Sequence, residues 1–175
     1  MKNVKRILTG RPGTGILVGL CLLLALELWL HTDAFLYQYR GVFAAGRAMD
    51  KVLYVETHKP DLLIAGNSRI DNGFNPRVLT AHYRDDLSTF NLGIPGITAS
   101  SFHGVIKRLH EKNRLGEGGV KHIVLGPDAT FFQNDDSLGY TVFYADHWAL
   151  LQAGRFNKSL GGALRLWGYA PNIKQ

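Results

Sequence analysis

A serine directly after a short apolar run, Leu62-Leu63-Ile64-Ala65-Gly66-Asn67-Ser68, is the residue best placed for covalent chemistry in this 175-residue chain. A hydroxyl in a tight turn beyond a strand end can attack an acyl carbon, given backbone N–H groups for the oxyanion and a base for the proton. Gly66 permits close backbone approach at that turn. The amides of Ser68 and of Gly96, in a second glycine loop Gly93-Ile94-Pro95-Gly96, form a candidate oxyanion pair. A third loop, Gly126-Pro127-Asp128, adds a carboxylate at a strand end, readable as a cap for the following loop or as an acid of the site. Arg69 reads as a salt-bridged turn residue in preference to an anion-binding one, and Asp71 and Asn72 as turn builders.

Patterns that would specify other chemistries are missing. Arg69 and Ile70 follow the serine, so the G-x-S-x-G turn of α/β-hydrolases is absent, as are a dinucleotide fingerprint and a Walker A loop. The seven histidines include no H-E-x-x-H pair. His103 and His110 share a helix face at a separation of seven, which suits a solvated or packing role better than a metal. Asp146-His147 is the one place where an acid directly precedes a histidine. The single cysteine, Cys21, excludes an internal disulfide and a cysteine-based zinc site. No cofactor and no metal is expected. The net charge is +6, but Lys2, Lys5, Arg6 and Arg11 precede the first acid, Glu27, and the remainder forms no basic stripe for nucleic acid.

These residues need a frame to hold them. Asp61 to Gly66, Thr89 to Leu92 and His122 to Leu125 are short runs of the kind that form buried parallel strands. Asn75-Pro76 is an N-cap with proline at the first helical position, opening a short helix to Arg84. Thr98 or Ser100 can cap the next helix, in which Phe102, Val105, Ile106 and Leu109 recur at helical spacing while Lys107, Arg108, Glu111 and Lys112 face water. Strand, helix, strand, helix, strand predicts a βαβαβ unit with right-handed crossovers and helices on both faces. The glycine loops then leave the carboxyl ends of the strands, where sites of open α/β sheets gather. Beyond Gln133 the pattern is helical, at Ala145 to Gly154 and Ser159 to Trp167, with no fourth apolar strand.

Gly13 to Leu30 carries one charge, Glu27, and a helix of about 18 residues rises roughly 27 Å, enough for a bilayer core. Trp29 and His31 occupy interfacial positions. The chain divides into a basic tail over 1–12, a transmembrane anchor over 13–31, an amphipathic stalk helix over 32–57 and an α/β domain over 58–175. Phe35, Tyr39, Val42, Gly46, Met49 and Leu53 line one side of that stalk, with Arg40, Arg47 and Lys51 on the other. The upstream cations hold the N-terminus in the cytoplasm and put everything after His31 outside. A cleaved signal peptide and a buried soluble helix are the competing readings; the run exceeds an ordinary h-region, and no small-x-small site follows Leu30.

Three stretches carry a resemblance: Asp-Leu-Leu-Ile-Ala-Gly-Asn-Ser-Arg-Ile, Phe-Asn-Leu-Gly-Ile-Pro-Gly-Ile-Thr and Ile-Val-Leu-Gly-Pro-Asp. They resemble the first three blocks of the SGNH (GDSL-type) hydrolase superfamily, most of all its membrane-anchored bacterial branch, over about residues 60–130. The resemblance implies a three-layer flavodoxin-like parallel sheet, here incomplete, and a place in the bacterial inner membrane with the globular part in the periplasm. It implies action on acyl esters of cell-envelope polysaccharide, as esterase or O-acyltransferase, beside the machinery that makes or exports the polymer. Residue by residue, Ser68 takes the place of the nucleophile and Gly96 that of the second-block oxyanion glycine. Asp128 stands where the third block has asparagine, and a carboxylate there would repel an oxyanion. The family's general base lies in an Asp-x-x-His block, and no Asp-x-x-His occurs in this sequence. Two expectations follow: the chain is the N-terminal part of a longer enzyme, or it is a catalytically inactive accessory protein of a polysaccharide system.

Overall fold

A computed structural model describes residues 12–82, 87–133 and 139–174. The basic tail with Lys2, Lys5, Arg6 and Arg11 lies outside the described residues. The strands β1 (Leu62–Gly66), β2 (Thr89–Gly93) and β3 (His122–Gly126) form a parallel sheet in the order β2-β1-β3, so the fold is α/β. The register pairs Leu63 with Phe90 and Ile123, and Gly66 with Gly93 and Gly126.

Side chains alternate between the two faces of this sheet. Leu63 and Ala65 belong to the main core, together with Met49, Val52 and Val55 of α3 (Gly46–His58) and Phe102, Val105 and Leu109 of α6 (Ala99–Glu111). Leu62 and Ile64 point the other way, towards α4 (Ser68–Gly73) and α5 (Pro76–His82). Asn75 starts α5 as expected, its Oδ1 accepting the Arg77 N–H at 3.1 Å. On this face an apolar cleft of about 940 Å³ opens between Ile70, Phe74 and Leu79 and the outer side of Val124. The run 122–125 reads as a buried strand, yet Ile123, Val124 and Leu125 are exposed, because β3 is an edge strand, paired among the described residues with β1 alone.

The stalk expected over 32–57 is two helices, not one. A helix α2 (Asp33–Tyr39) gives way to a 3₁₀ turn at Arg40–Val42 before α3 begins at Gly46. The chain doubles back tightly there: a Cβ on Gly46 would lie 2.4 Å from the Arg40 carbonyl oxygen. Gly46, read as part of an apolar stripe, is what permits the break. Arg108 also departs from expectation, turning inward to the buried Glu56 of α3.

The C-terminal part is helical: α7 (Tyr140–Tyr144), α8 (His147–Gln152), α9 (Phe156–Ala163) and α10 (Arg165–Tyr169). The helix expected over Ser159 to Trp167 is interrupted at Leu164, whose φ of −110° and ψ of 92° are not helical. Its last residues return to the N-terminal helices, where Phe43 bridges to Ile173 and the Phe35 and Tyr169 rings stack at 5.8 Å.

The helix α1 (Pro12–Leu30) contains a stretch, Gly13–Leu30, long and apolar enough to cross a membrane. Its leucines are mostly exposed, Leu22 and Leu28 each by more than 60%. A helix buried in the core of a soluble protein, one of the competing readings, does not fit that exposure.

Candidate functional site

Because the strands are parallel and end in register at Gly66, Gly93 and Gly126, their following loops open at one edge of the sheet. The Ile94 N–H donates to the Gly66 carbonyl at 2.8 Å and ties the second loop to the first. Ser68 opens α4. Asn67 caps that helix, its Oδ1 accepting the Arg69 N–H at 3.1 Å. The Ser68 hydroxyl is half-buried and has no hydrogen-bond partner among the described residues. In the second loop the Ile97 N–H donates to the Ile94 carbonyl at 3.1 Å around Pro95 and Gly96. Gly96 has φ +76°, the left-handed corner of a type II turn, where a side chain would be strained. Its N–H is unused among the described residues, and the turn is held from behind by the Tyr140 hydroxyl, which donates to the Pro95 carbonyl at 2.8 Å.

Asp128 is a cap and a tie between loops. One carboxylate oxygen accepts from the Thr130 hydroxyl at 2.6 Å, the Thr130 N–H at 2.9 Å and the Phe131 N–H at 3.1 Å. The other faces Arg69 Nε at 3.2 Å, so Arg69 is salt-bridged as its turn position suggests. Asn67, only 3% exposed, donates from Nδ2 to the Thr130 hydroxyl at 3.0 Å and so joins the first loop to the third. Hydrogen bonds from Thr130 and Asn67, then from the Phe131 and Thr130 amides, hold the Asp128 carboxyl at about 2. A depressed carboxyl contributes stability above its unfolded value of about 3.9, and that stability is lost as pH falls towards 2. Asp128→Asn should therefore flatten the fall of the thermal midpoint between about pH 5 and about pH 2. An unchanged acid profile would show that this carboxylate does not tie the loops.

Three side chains to which the sequence assigned no part in the site brace the same edge. Lys51 of α3, expected on the outer side of the stalk, reaches inward: its Nζ donates to Asp71 Oδ1 at 2.6 Å, to the Gly93 carbonyl at 2.6 Å and to the Asn91 carbonyl at 3.1 Å. Asp71 is more than a turn builder, for its side chain is 2% exposed and also faces Arg47 at 2.9 Å. Asn91 donates from Nδ2 to the carbonyls of Ile70 at 2.9 Å and Phe74 at 2.8 Å and accepts the Gly93 N–H at 2.8 Å. Here α4 approaches β2 so closely that a Cβ on Gly93 would lie 2.3 Å from the Asp71 nitrogen. Gly93→Ala should cost about 1–3 kcal/mol by overpacking, read as a lowered urea midpoint; a loss below about 0.5 kcal/mol would mean that the loop relaxes freely.

No described histidine hydrogen-bonds Ser68. His103 and His110 are exposed, and His122 begins β3 at the opposite end of the sheet. His147 packs its ring against Gly162, and burial pushes its pKa down. Asp146 caps α8 through the Trp148 and Ala149 amides and pairs with Lys107 at 2.7 Å, so Asp146-His147 is structural. Among the described residues there is no cluster of metal-ligating side chains. What the edge offers is one unpartnered hydroxyl, two unused amides and a carboxylate neutralised by arginine. Comparison with protein-family models, with curated proteins and with solved structures gives no match, so the reading of this site stands on its own geometry.

Proposed function

We propose that this chain is a membrane-anchored protein of the SGNH-hydrolase type that carries acyl groups on Ser68, taken from or given to the esters of an extracytoplasmic polysaccharide. The observation that carries the reading is the Ser68 hydroxyl, half-buried and unpartnered among the described residues, at the carboxyl end of the central strand. The strand order β2-β1-β3 supports a flavodoxin-like sheet, whose sites lie at the β1/β3 switch point; Ser68 and Asp128 flank that point here. The exposed apolar helix α1 supports a single span, and the cations ahead of it favour a cytoplasmic N-terminus.

In this reading the Ser68 oxygen attacks the ester carbonyl carbon and the Ser68 and Gly96 amides receive the oxyanion. The bond from the acyl carbon to the sugar oxygen then breaks, that oxygen leaving as a hydroxyl with the proton given up by Ser68. Water or a second hydroxyl then takes the acyl group. Arg69 offsets the Asp128 charge that would otherwise oppose the oxyanion. The Ser68 proton requires a base that the described residues do not supply, so the base comes from outside them. That requirement favours a second reading, a non-catalytic accessory of a polysaccharide system, in which the same edge is structural. The full chain in detergent, exposed to an activated acetyl ester and a serine-directed phosphonate, separates the two. Modification of Ser68 supports the enzyme; no modification, with a control hydrolase labelled in the same sample, leaves the accessory.

A further inference from the structure

We propose that an apolar collar around the foot of α1 is seated in the lipid surface, with the cleft in it filled by acyl chains of the same bilayer. This inference rests on the reading of α1 as a membrane span. Glu27, three residues before the end of α1, accepts the N–H groups of Arg165 and of Leu166, the latter at 3.0 Å. The Tyr169 hydroxyl donates to the Leu30 carbonyl at 3.1 Å, and His31 Nε2 lies 3.2 Å from the Ala163 carbonyl. The start of α10 is thereby held beside the last turn of the apolar helix, within about 5 Å of its end along the axis. A carboxylate inside a span is tolerable when protein donors satisfy it, and the amides of α10 do so here.

Side chains at that level are of a kind that water does not favour. Trp167 is 70% exposed, and Trp29, Leu166 and Ile173 are each close to half exposed. Leu166 and Ile173, together with Leu30, Phe35 and Tyr39, line a cleft of about 270 Å³. The apolar stretch of 18 residues rises about 27 Å, a little short of a hydrocarbon core of about 30 Å, so drawing the collar into the interface relieves the mismatch. Tryptophan and tyrosine concentrate at that depth because one end of each ring system is apolar and the other polar. Continuity with the anchor selects lipid over a soluble partner, which would have to enter the headgroups to reach this face.

The full chain in vesicles of phosphatidylcholine and phosphatidylglycerol tests the collar through two single-tryptophan variants. W148F/W167F retains Trp29, and W29F/W148F retains Trp167. In vesicles brominated near the headgroup end of the acyl chains, both should lose fluorescence by about two-fold or more relative to unbrominated lipid. Quenching of Trp29 with Trp167 unaffected would overturn the collar while the span stands. Quenching of neither would remove the span and the collar with it. Protection of Trp167 that grows with protein density, Trp29 remaining quenched, would overturn the collar in favour of contact with a second copy.

Discussion

Replacing Arg108 with methionine should destabilise the protein by about 3–5 kcal/mol, although the helix pattern places residue 108 in water. The guanidinium donates from Nε to Glu56 Oε1 at 2.6 Å, and from Nη2 to the Tyr37 hydroxyl at 2.6 Å and to Asp33 at 2.8 Å. Tyr37 in turn donates to the second Glu56 oxygen at 2.9 Å. Burial raises the Tyr37 pKa, so the phenol stays protonated and keeps donating. Glu56 is 6% exposed, and once Arg108 is gone its carboxylate is buried with Tyr37 and a lysine, Lys112 at 3.3 Å. Removing one member of a buried pair costs far more than replacing both by apolar groups of similar volume. Arg108→Met combined with Glu56→Leu should therefore recover most of the loss. Denaturant midpoints of the two variants, in one detergent, give the comparison. A single-variant loss below about 1 kcal/mol would mean that water reaches Glu56 and that the pair does not join α2 and α3 to α6.

The same ion pair shows where sequence reading stops. Strand runs at 61–66, 89–92 and 122–125 and the Asn75-Pro76 cap are local signals, and strands form at 62–66, 89–93 and 122–126, with α5 described as far as His82. Alternation and capping depend on neighbours within a few residues, so they survive without tertiary knowledge. Arg108 and Glu56 are 52 positions apart, and Lys51 lies 42 from the Gly93 carbonyl it binds. Periodicity places such charges on a solvated face because it has no information about what packs there. The break at Gly46 arises from a close backbone contact with Arg40, which composition cannot reveal. Exposure of Val124 depends on its strand being at an edge, a property of strand order and not of the run itself. At the site, the Ser68 and Gly96 turns were legible from glycine and strand context. The cap role of Asp128 was one of the two readings its position allowed, but its tie to the first loop was not legible, since Asn67 and Arg69 reach Thr130 and Asp128 from a distant part of the chain.

Ser68→Ala should abolish phosphonate labelling and lower turnover of an activated ester by at least roughly 10³-fold, the scale expected when a nucleophile is lost. Stability should hardly change, within about 0.5 kcal/mol, because the hydroxyl is half-buried and bonds nothing among the described residues. That separation of activity from stability distinguishes a nucleophile from a turn residue, whose loss would lower the melting midpoint and leave any activity intact. Ser68→Cys adds an independent readout. A thiol at the same edge, beside the exposed Arg69, should be alkylated faster as pH rises towards a thiol pKa of about 8.5, reporting directly that the position is open to small electrophiles. Alkylation without ester turnover in the native chain would mean an accessible edge that lacks a base, the state expected of an accessory protein. Failure of alkylation under native conditions, with full modification after unfolding, would close the edge to substrate and remove the catalytic reading altogether.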